Sequence, residues 1–229
     1  MNKTYNRPNL QTSSQGFTII ELMIATSVFS VILLIATFGV LQITRTYYKG
    51  VTAAKTQQTT RAIIDQVSQA IQFSGSDPIT ITSNGSSRGF CINGKRYSYE
   101  LNQQVIDNSP DLTKNQNYHA LIVDDQAGCT AATQALSVDS PPNCALSPAP
   151  AGCPFDELMS PNMRLANINT QLVAGTTNLW RVTVTVAFGD SDLLNLSVPT
   201  NPICKSGAGG QFCAVSSLST TVQNRLKPL

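Results

Sequence analysis

The stretch that decides the fold reads GFTIIELMIATSVFSVILLIATFGVLQIT and covers residues 16–44 of a chain of 229. Its last 28 residues carry a single charge, Glu21. About 20 apolar residues cross a bilayer as a helix, whereas the apolar core of a secretory signal usually has about 7–15. The stretch therefore predicts a membrane-spanning helix that stays with the chain.

The residues before this stretch are polar and basic. Residues 1–16 contain Lys3 and Arg7 and no acidic residue, and the rest of the chain holds thirteen basic and thirteen acidic residues. Such a neutral balance provides no broad electrostatic footprint for nucleic acid.

One local basic run follows the span and consists of Arg45, Lys49, Lys55 and Arg61. No acidic residue follows residue 44 until Asp65. We interpret the run as a solvated helix face beside the membrane, with contact to anionic headgroups or to a neighbouring subunit as the alternative.

The boundary between leader and span resembles the signature of type IV prepilins. It reads Gly16-Phe17-Thr18-Ile19-Ile20-Glu21, a glycine followed by a phenylalanine with a glutamate five residues after the glycine. The resemblance implies that prepilin peptidase, a membrane-bound aspartyl peptidase, cuts between Gly16 and Phe17 on the cytoplasmic side and methylates the new amine of Phe17. The C-terminal part then lies outside.

Glu21 carries the strongest functional expectation. A carboxylate within a bilayer segment costs about 2.5–3.5 kcal/mol even on lenient scales, so such residues are usually partnered and functional. In the pilin family the glutamate is thought to attract the terminal amine of the adjacent subunit and to set its register. The alternative is that Glu21 reaches the headgroups or caps the helix start, where negative charge is favoured.

The helix is expected to continue past the membrane to about residue 73, because no proline occurs between residues 17 and 77. Its second half carries an apolar stripe with helical spacing, formed by Ile63, Ile64, Val67, Ala70, Ile71 and Phe73. A weaker stripe precedes it: Tyr47, Val51 and Ala54. The stripe must be buried, most simply against a sheet.

After Pro78 the apolar period changes to two. Residues 89–92 and 95–101 flank Asn93-Gly94 and predict a hairpin with a type I′ turn. Further strands are predicted at 118–123, 179–188, 193–198 and 213–222, and a long loop at 137–161. The fold class is α+β and pilin-like: a leader at 1–16, an apolar half-helix at 17–44, an amphipathic half at 45–75 and an exported β-rich domain at 76–229.

All six cysteines lie after the span: Cys91, Cys129, Cys144, Cys153, Cys204 and Cys213. An even number on the exported side predicts disulfides, although six cysteines allow fifteen pairings. Proximity favours Cys204 with Cys213 first and Cys144 with Cys153 second. With no CxxC and one histidine, we expect neither a metal site nor a cofactor.

Nothing in the sequence predicts an enzyme. His119 is expected to be structural, and no GxSxG elbow is present. The acidic groups Asp124-Asp125 and Asp190-Ser191-Asp192 are interpreted as solvated turns, since a calcium loop needs more oxygen ligands at set spacing.

Three functions remain open. The first is a minor pilin that joins or primes a type IV pilus and supports adhesion, motility or DNA uptake. The second is a pseudopilin of a type II secretion or competence system, and the third is an exported, membrane-anchored protein that never polymerises. The resemblance implies as partners prepilin peptidase, other pilin subunits and the inner-membrane assembly platform. It places the chain in the cytoplasmic membrane first and on the cell surface afterwards.

Overall fold

The computed structural model describes residues 16–106, 119–138, 155–198, 200–207 and 209–226. The chain divides into two compact units, Met1–Thr44 and Arg45–Leu229. The boundary between them falls within the one α-helix of the described chain, α1, which runs over Ile19–Gln72. The predicted long helix is confirmed, and it ends three residues before Gly75, whose positive φ of 62° is unfavourable for other residues.

All strands of the described residues belong to the second unit and pair in antiparallel fashion. In chain order they are β1 Ile79–Thr80, β2 Arg88–Ile92, β3 Lys95–Tyr99, β4 Leu121–Asp125, β5 Phe155–Glu157, β6 Met163–Leu172, β7 Leu179–Phe188, β8 Leu194–Asn195, β9 Ile203–Cys204 and β10 Ala214–Gln223. They form a five-stranded sheet of order β1-β2-β3-β4-β5, a three-stranded sheet of order β10-β7-β6 and the pair β8-β9. The α+β class predicted from the sequence is therefore confirmed.

The apolar stripe of α1 packs into the main core of the second unit. Ile63, Ile64, Val67 and Ile71 are buried together with side chains from both larger sheets, among them Tyr97 of β3 and Val184 of β7. Burial of this stripe supplies the hydrophobic stabilisation that an amphipathic helix lacks on its own.

The weaker stripe was predicted wrongly. Tyr47 and Val51 are exposed, and the neighbouring face is buried instead. That face carries hydroxyls: Thr52, Thr56, Thr59 and Thr60. The Thr56 hydroxyl donates to the Thr52 carbonyl oxygen at 2.7 Å, and the Thr60 hydroxyl donates to that of Thr56 at 2.8 Å. A threonine satisfied by its own helix behaves as a small apolar residue, which a hydropathy pattern does not register.

The β2–β3 hairpin matches its prediction. Asn93 and Gly94 both have positive φ, 53° and 74°, as a type I′ turn requires. Strand β7 has the predicted bounds, with Trp180, Val182 and Val184 buried on one face.

Other strands differ from expectation. The strand expected at 118–123 is found at Leu121–Asp125, and the one expected at 193–198 shrinks to Leu194–Asn195. The loop expected at 137–161 contains β5, and β6 was missed altogether. A register shift between Leu165 and Asn167 breaks the alternation along β6, so no period of two is visible in its sequence.

Two disulfides lie among the described residues. One joins Cys204 to Cys213, nine positions apart, and the other joins Cys91 to Cys129, 38 positions apart. Proximity had suggested the first pair but not the second. The suggested pair Cys144 with Cys153 falls outside the described residues.

Candidate functional site

The predicted cleavage bond lies just outside the helix. Gly16, Phe17 and Thr18 are exposed and have no regular secondary structure, and α1 begins at Ile19. The first helical hydrogen bond runs from the Leu22 amide to the Thr18 carbonyl oxygen at 3.2 Å. A peptidase can therefore reach the bond between Gly16 and Phe17 without unwinding the helix.

Thr18 and Glu21 form a capping box at this helix start. The Thr18 amide and hydroxyl both donate to Oε2 of Glu21, at 3.0 and 2.9 Å. In return, the Glu21 amide donates to the Thr18 hydroxyl at 3.3 Å. This reciprocal pattern satisfies amides that a helix N-terminus otherwise leaves open. Capping, the alternative interpretation of Glu21, is thus present in the single chain.

The capping box occupies only one oxygen of the carboxylate. Oε1 of Glu21 has no hydrogen-bond partner among the described residues. Both residues of the box lie after the predicted cleavage point, so removing residues 1–16 leaves the box in place.

Every other hydroxyl of the span donates to a carbonyl oxygen about one helical turn back. The five are Thr26, Ser27, Ser30, Thr37 and Thr44, with distances of 2.7 to 3.0 Å. Polar groups in a bilayer must be satisfied internally, and these are. Glu21 is the one ionisable side chain of the span. Unlike the hydroxyls, its carboxylate keeps one oxygen, Oε1, without a hydrogen-bond partner among the described residues.

Among the described residues, α1 is also the one helix long and apolar enough to cross a membrane. The large apolar side chains in the first unit of the chain, from Phe17 to Ile43, are exposed. These side chains present to the surroundings a surface that water solvates poorly.

Comparison with protein families finds one match at this end of the chain. The model of the prokaryotic N-terminal methylation motif matches residues 11–37. The chain carries the signature of type IV prepilin-like proteins. This signature implies processing by prepilin peptidase and assembly with other pilins, and with the apolar helix it fits membrane anchoring before assembly. Searches of curated proteins and of solved structures found no match.

The histidine of this prepilin-like chain belongs to a structural cluster. His119 precedes β4, where its Nδ1 lies 3.2 Å from Oε2 of Glu157, and its ring packs edge-on against Phe155. The Glu157 carboxylate also accepts the backbone amides of Ala120, Leu121 and Met159, at 2.9 to 3.3 Å. This convergence of donors ties β5 to the start of β4.

The acidic pair Asp124-Asp125 is not the solvated turn that the sequence suggested. Both residues lie in β4 opposite basic residues of β3. Asp124 is buried and bidentate with Arg96, whereas exposed Asp125 pairs with Lys95 at 3.1 Å. The described residues contain no group of three His, Cys, Asp or Glu side chains that could hold a metal ion.

Sequence reasoning missed the most deeply buried charge among the described residues. Arg164 of β6 is fully buried and donates to Oε1 of Gln104 at 2.9 Å and to the Gly189 carbonyl oxygen at 3.0 Å. Burial lowers the pKa of Arg164, and the charge of Asp190 opposes that effect. Arg164 fastens residues 102–104 and the turn after β7 onto the sheet, a role that only tertiary contacts reveal.

Proposed function

We propose that this prepilin-like chain is a minor pilin. Prepilin peptidase removes residues 1–16 by breaking the Gly16–Phe17 bond, Phe17 is methylated, and the mature subunit joins or primes a type IV pilus that serves adhesion, motility or DNA uptake. One observation carries the proposal. Glu21 is the lone charge of a span whose hydroxyls are all satisfied within the helix, and it sits inside the methylation motif.

The chemistry of assembly follows from that carboxylate. Among the packed apolar helices of an assembled filament, an ionised group needs an opposite charge, and removing residues 1–16 creates one at the amine of Phe17. The amine of a neighbouring subunit binds Oε1 of Glu21, while Oε2 keeps the helix start capped through Thr18. Capping and assembly are therefore compatible roles of one side chain.

The positions of the cysteines support one orientation of the chain in the membrane. Disulfides persist in oxidising compartments, and both bridges of the described chain lie after the span. This supports an exported second unit and a cytoplasmic leader, the side on which prepilin peptidase cuts.

A matched pair of variants separates the two roles of Glu21. Glu21→Gln keeps a side-chain oxygen for the capping box but removes the charge, so the subunit should be cleaved normally and be recovered in filaments at least about tenfold less. Thr18→Val removes the capping hydroxyl but keeps the charge, so filament incorporation should persist. Both are measured as the amount of mature subunit in sheared surface filaments relative to the membrane pool.

The outcomes discriminate between the functions. Full incorporation of the Glu21→Gln variant into filaments would contradict the pairing role of Glu21. If the wild-type chain is never found in filaments, it is a membrane anchor that does not polymerise. Deletion of the gene distinguishes the two filament systems, because loss of surface fibres is expected for a minor pilin and loss of protein secretion for a pseudopilin.

A further inference from the structure

An exposed aromatic patch lies on the second unit just after the span. We define the aromatic patch as Tyr47, Tyr48, Val51 and Phe212, whose exposed fractions range from 44% to 67%. The three helical members share one face of α1, because Val51 follows Tyr47 by four residues and Tyr48 by three.

Phe212 comes to this face from far along the chain. Its ring centroid lies 5.7 Å from that of Tyr48. The 3₁₀ turn Gly210–Phe212 is followed at once by Cys213, which is bridged to Cys204. The buried Thr52 hydroxyl lies within hydrogen-bonding distance of the Gln211 carbonyl oxygen, at 3.2 Å, and of the Tyr48 and Lys49 carbonyl oxygens of its own helix, at 3.0 and 3.1 Å. The fold thus holds this loop against the part of α1 that follows the span.

The position of the aromatic patch along α1 determines its depth relative to the bilayer. The hydrocarbon core is about 30 Å thick, or about 20 helical residues, which takes a span starting after Glu21 to about residue 41. A headgroup layer of about 5–7 Å then covers about four or five further residues. Tyr47 and Tyr48 therefore come at the outer edge of the headgroup layer, within reach of it through their long side chains.

The chemistry of the patch matches that layer. Tyrosine rings are enriched at the membrane–water interface because they are apolar with a polar tip. Arg45 and Lys49, both exposed, flank the two tyrosines and complement anionic headgroups. Phe73, the first residue after α1, is 53% exposed and follows Tyr48 by 25 residues, and the last turn of α1 contains no basic residue.

We propose that the aromatic patch is a lipid-binding surface, seated in the headgroup layer of the leaflet next to residue 44. Phe212 then gives the disulfide-bridged loop a membrane contact of its own, separate from the span. This inference rests on membrane anchoring and not on the pilus, and it holds equally for a pseudopilin or a plain anchor.

The test places tryptophan at chosen depths in the full-length chain. The protein is reconstituted at low density in vesicles of phosphatidylethanolamine and phosphatidylglycerol that carry spin-labelled lipids quenching either near the headgroups or deep in the acyl chains. Phe212→Trp should lose about half of its added emission to the shallow quencher and less to the deep one. Tyr48→Trp, which leaves the loop unchanged, should behave alike.

Two matched variants act as controls, and the wild type supplies the background of buried Trp180. Phe73→Trp, the same substitution outside the patch, should be quenched by neither lipid. Phe29→Trp, within the span, should be quenched by the deep lipid. Omitting phosphatidylglycerol should weaken the shallow quenching of Phe212→Trp, because Arg45 and Lys49 lose their anionic counterparts.

Three results would overturn the inference. If Phe29→Trp is quenched while Phe212→Trp is as unaffected as Phe73→Trp, the chain is anchored but the patch is not in lipid. If the shallow quenching of Phe212→Trp disappears as protein density rises, a second copy is its preferred occupant. If Phe29→Trp is not quenched either, the anchoring itself fails, and the inference fails with it.

Discussion

At the scale of single residues, Tyr97 shows how strongly the core constrains one ionisable group. Its side chain is fully buried and its ring stacks on that of Phe90, with centroids 5.0 Å apart and planes 15° apart. Burial raises the pKa of Tyr97 to about 12, because a phenolate would have to be desolvated. The folded state therefore favours the neutral, protonated form of Tyr97.

This pKa predicts a loss of stability at alkaline pH. The unfolded chain releases the Tyr97 proton near pH 10, the folded chain only near pH 12, so stability is complete below about pH 10 and falls by about 2–3 kcal/mol as pH rises to about 12. Tyr97→Phe should remove this decline in urea unfolding measured across that range. Tyr99, whose pKa burial also raises, is present in both proteins and cancels. Equal slopes for the two proteins would refute the assignment.

At the scale of elements, two cross-strand ion pairs join β3 to β4 in very different surroundings. The Arg96 side chain donates to both carboxylate oxygens of Asp124, at 3.0 and 2.6 Å, and the two side chains are 13% and 8% exposed. The adjacent pair of Lys95 with Asp125 reaches into water, where Asp125 is 88% exposed. Both pairs join one positive and one negative side chain, so the difference between them is how deeply they are buried.

Asparagine substitutions should expose that difference. Asp124→Asn leaves the Arg96 guanidinium buried without its counter-charge and should lower the free energy of unfolding by about 3 kcal/mol. Asp125→Asn, the matched control on the next residue, should change it by less than about 0.5 kcal/mol. Chemical denaturation of both variants checks this, and similar effects at the two positions would contradict it.

Elements with a local signal could be predicted from the sequence. The β2–β3 hairpin follows from Asn93-Gly94, and β7 from its strict alternation. Strand β6 could not be predicted, because its alternation breaks at the register shift between Leu165 and Asn167. The threonine face of α1 was missed for a related reason, since its polarity is cancelled by bonds within the helix.

At the scale of the whole molecule, the two described disulfides constrain the unfolded chain unequally. The bridge between Cys91 and Cys129 spans 38 positions, and that between Cys204 and Cys213 spans nine. In the chain-entropy model a longer closed loop stabilises more. Each bridge includes one deeply buried cysteine, Cys91 or Cys213, so the cost of a serine there is comparable.

Paired serine variants test this order. Replacing Cys91 and Cys129 together should cost about 4 kcal/mol of unfolding free energy, and replacing Cys204 and Cys213 about 2.5–3 kcal/mol. Denaturation of the oxidised proteins under identical conditions gives both values. A larger loss for the shorter loop would show that packing around it outweighs chain entropy.

The part of the candidate site whose residues are close together in the chain could be predicted from the sequence. Gly16, Phe17 and Glu21 lie within six residues, and the three-residue spacing of Thr18 and Glu21 is itself a local signal for a capping box. The contact between Tyr48 and Phe212 joins residues far apart in the chain, and no local pattern marks it.

Mass spectrometry of the N-terminus of the protein from its native membrane tests the central claim most directly. A chain processed as a type IV prepilin should begin at Phe17, with a methyl group on its amine and residues 1–16 absent. A mature chain that begins at Met1 would contradict the account.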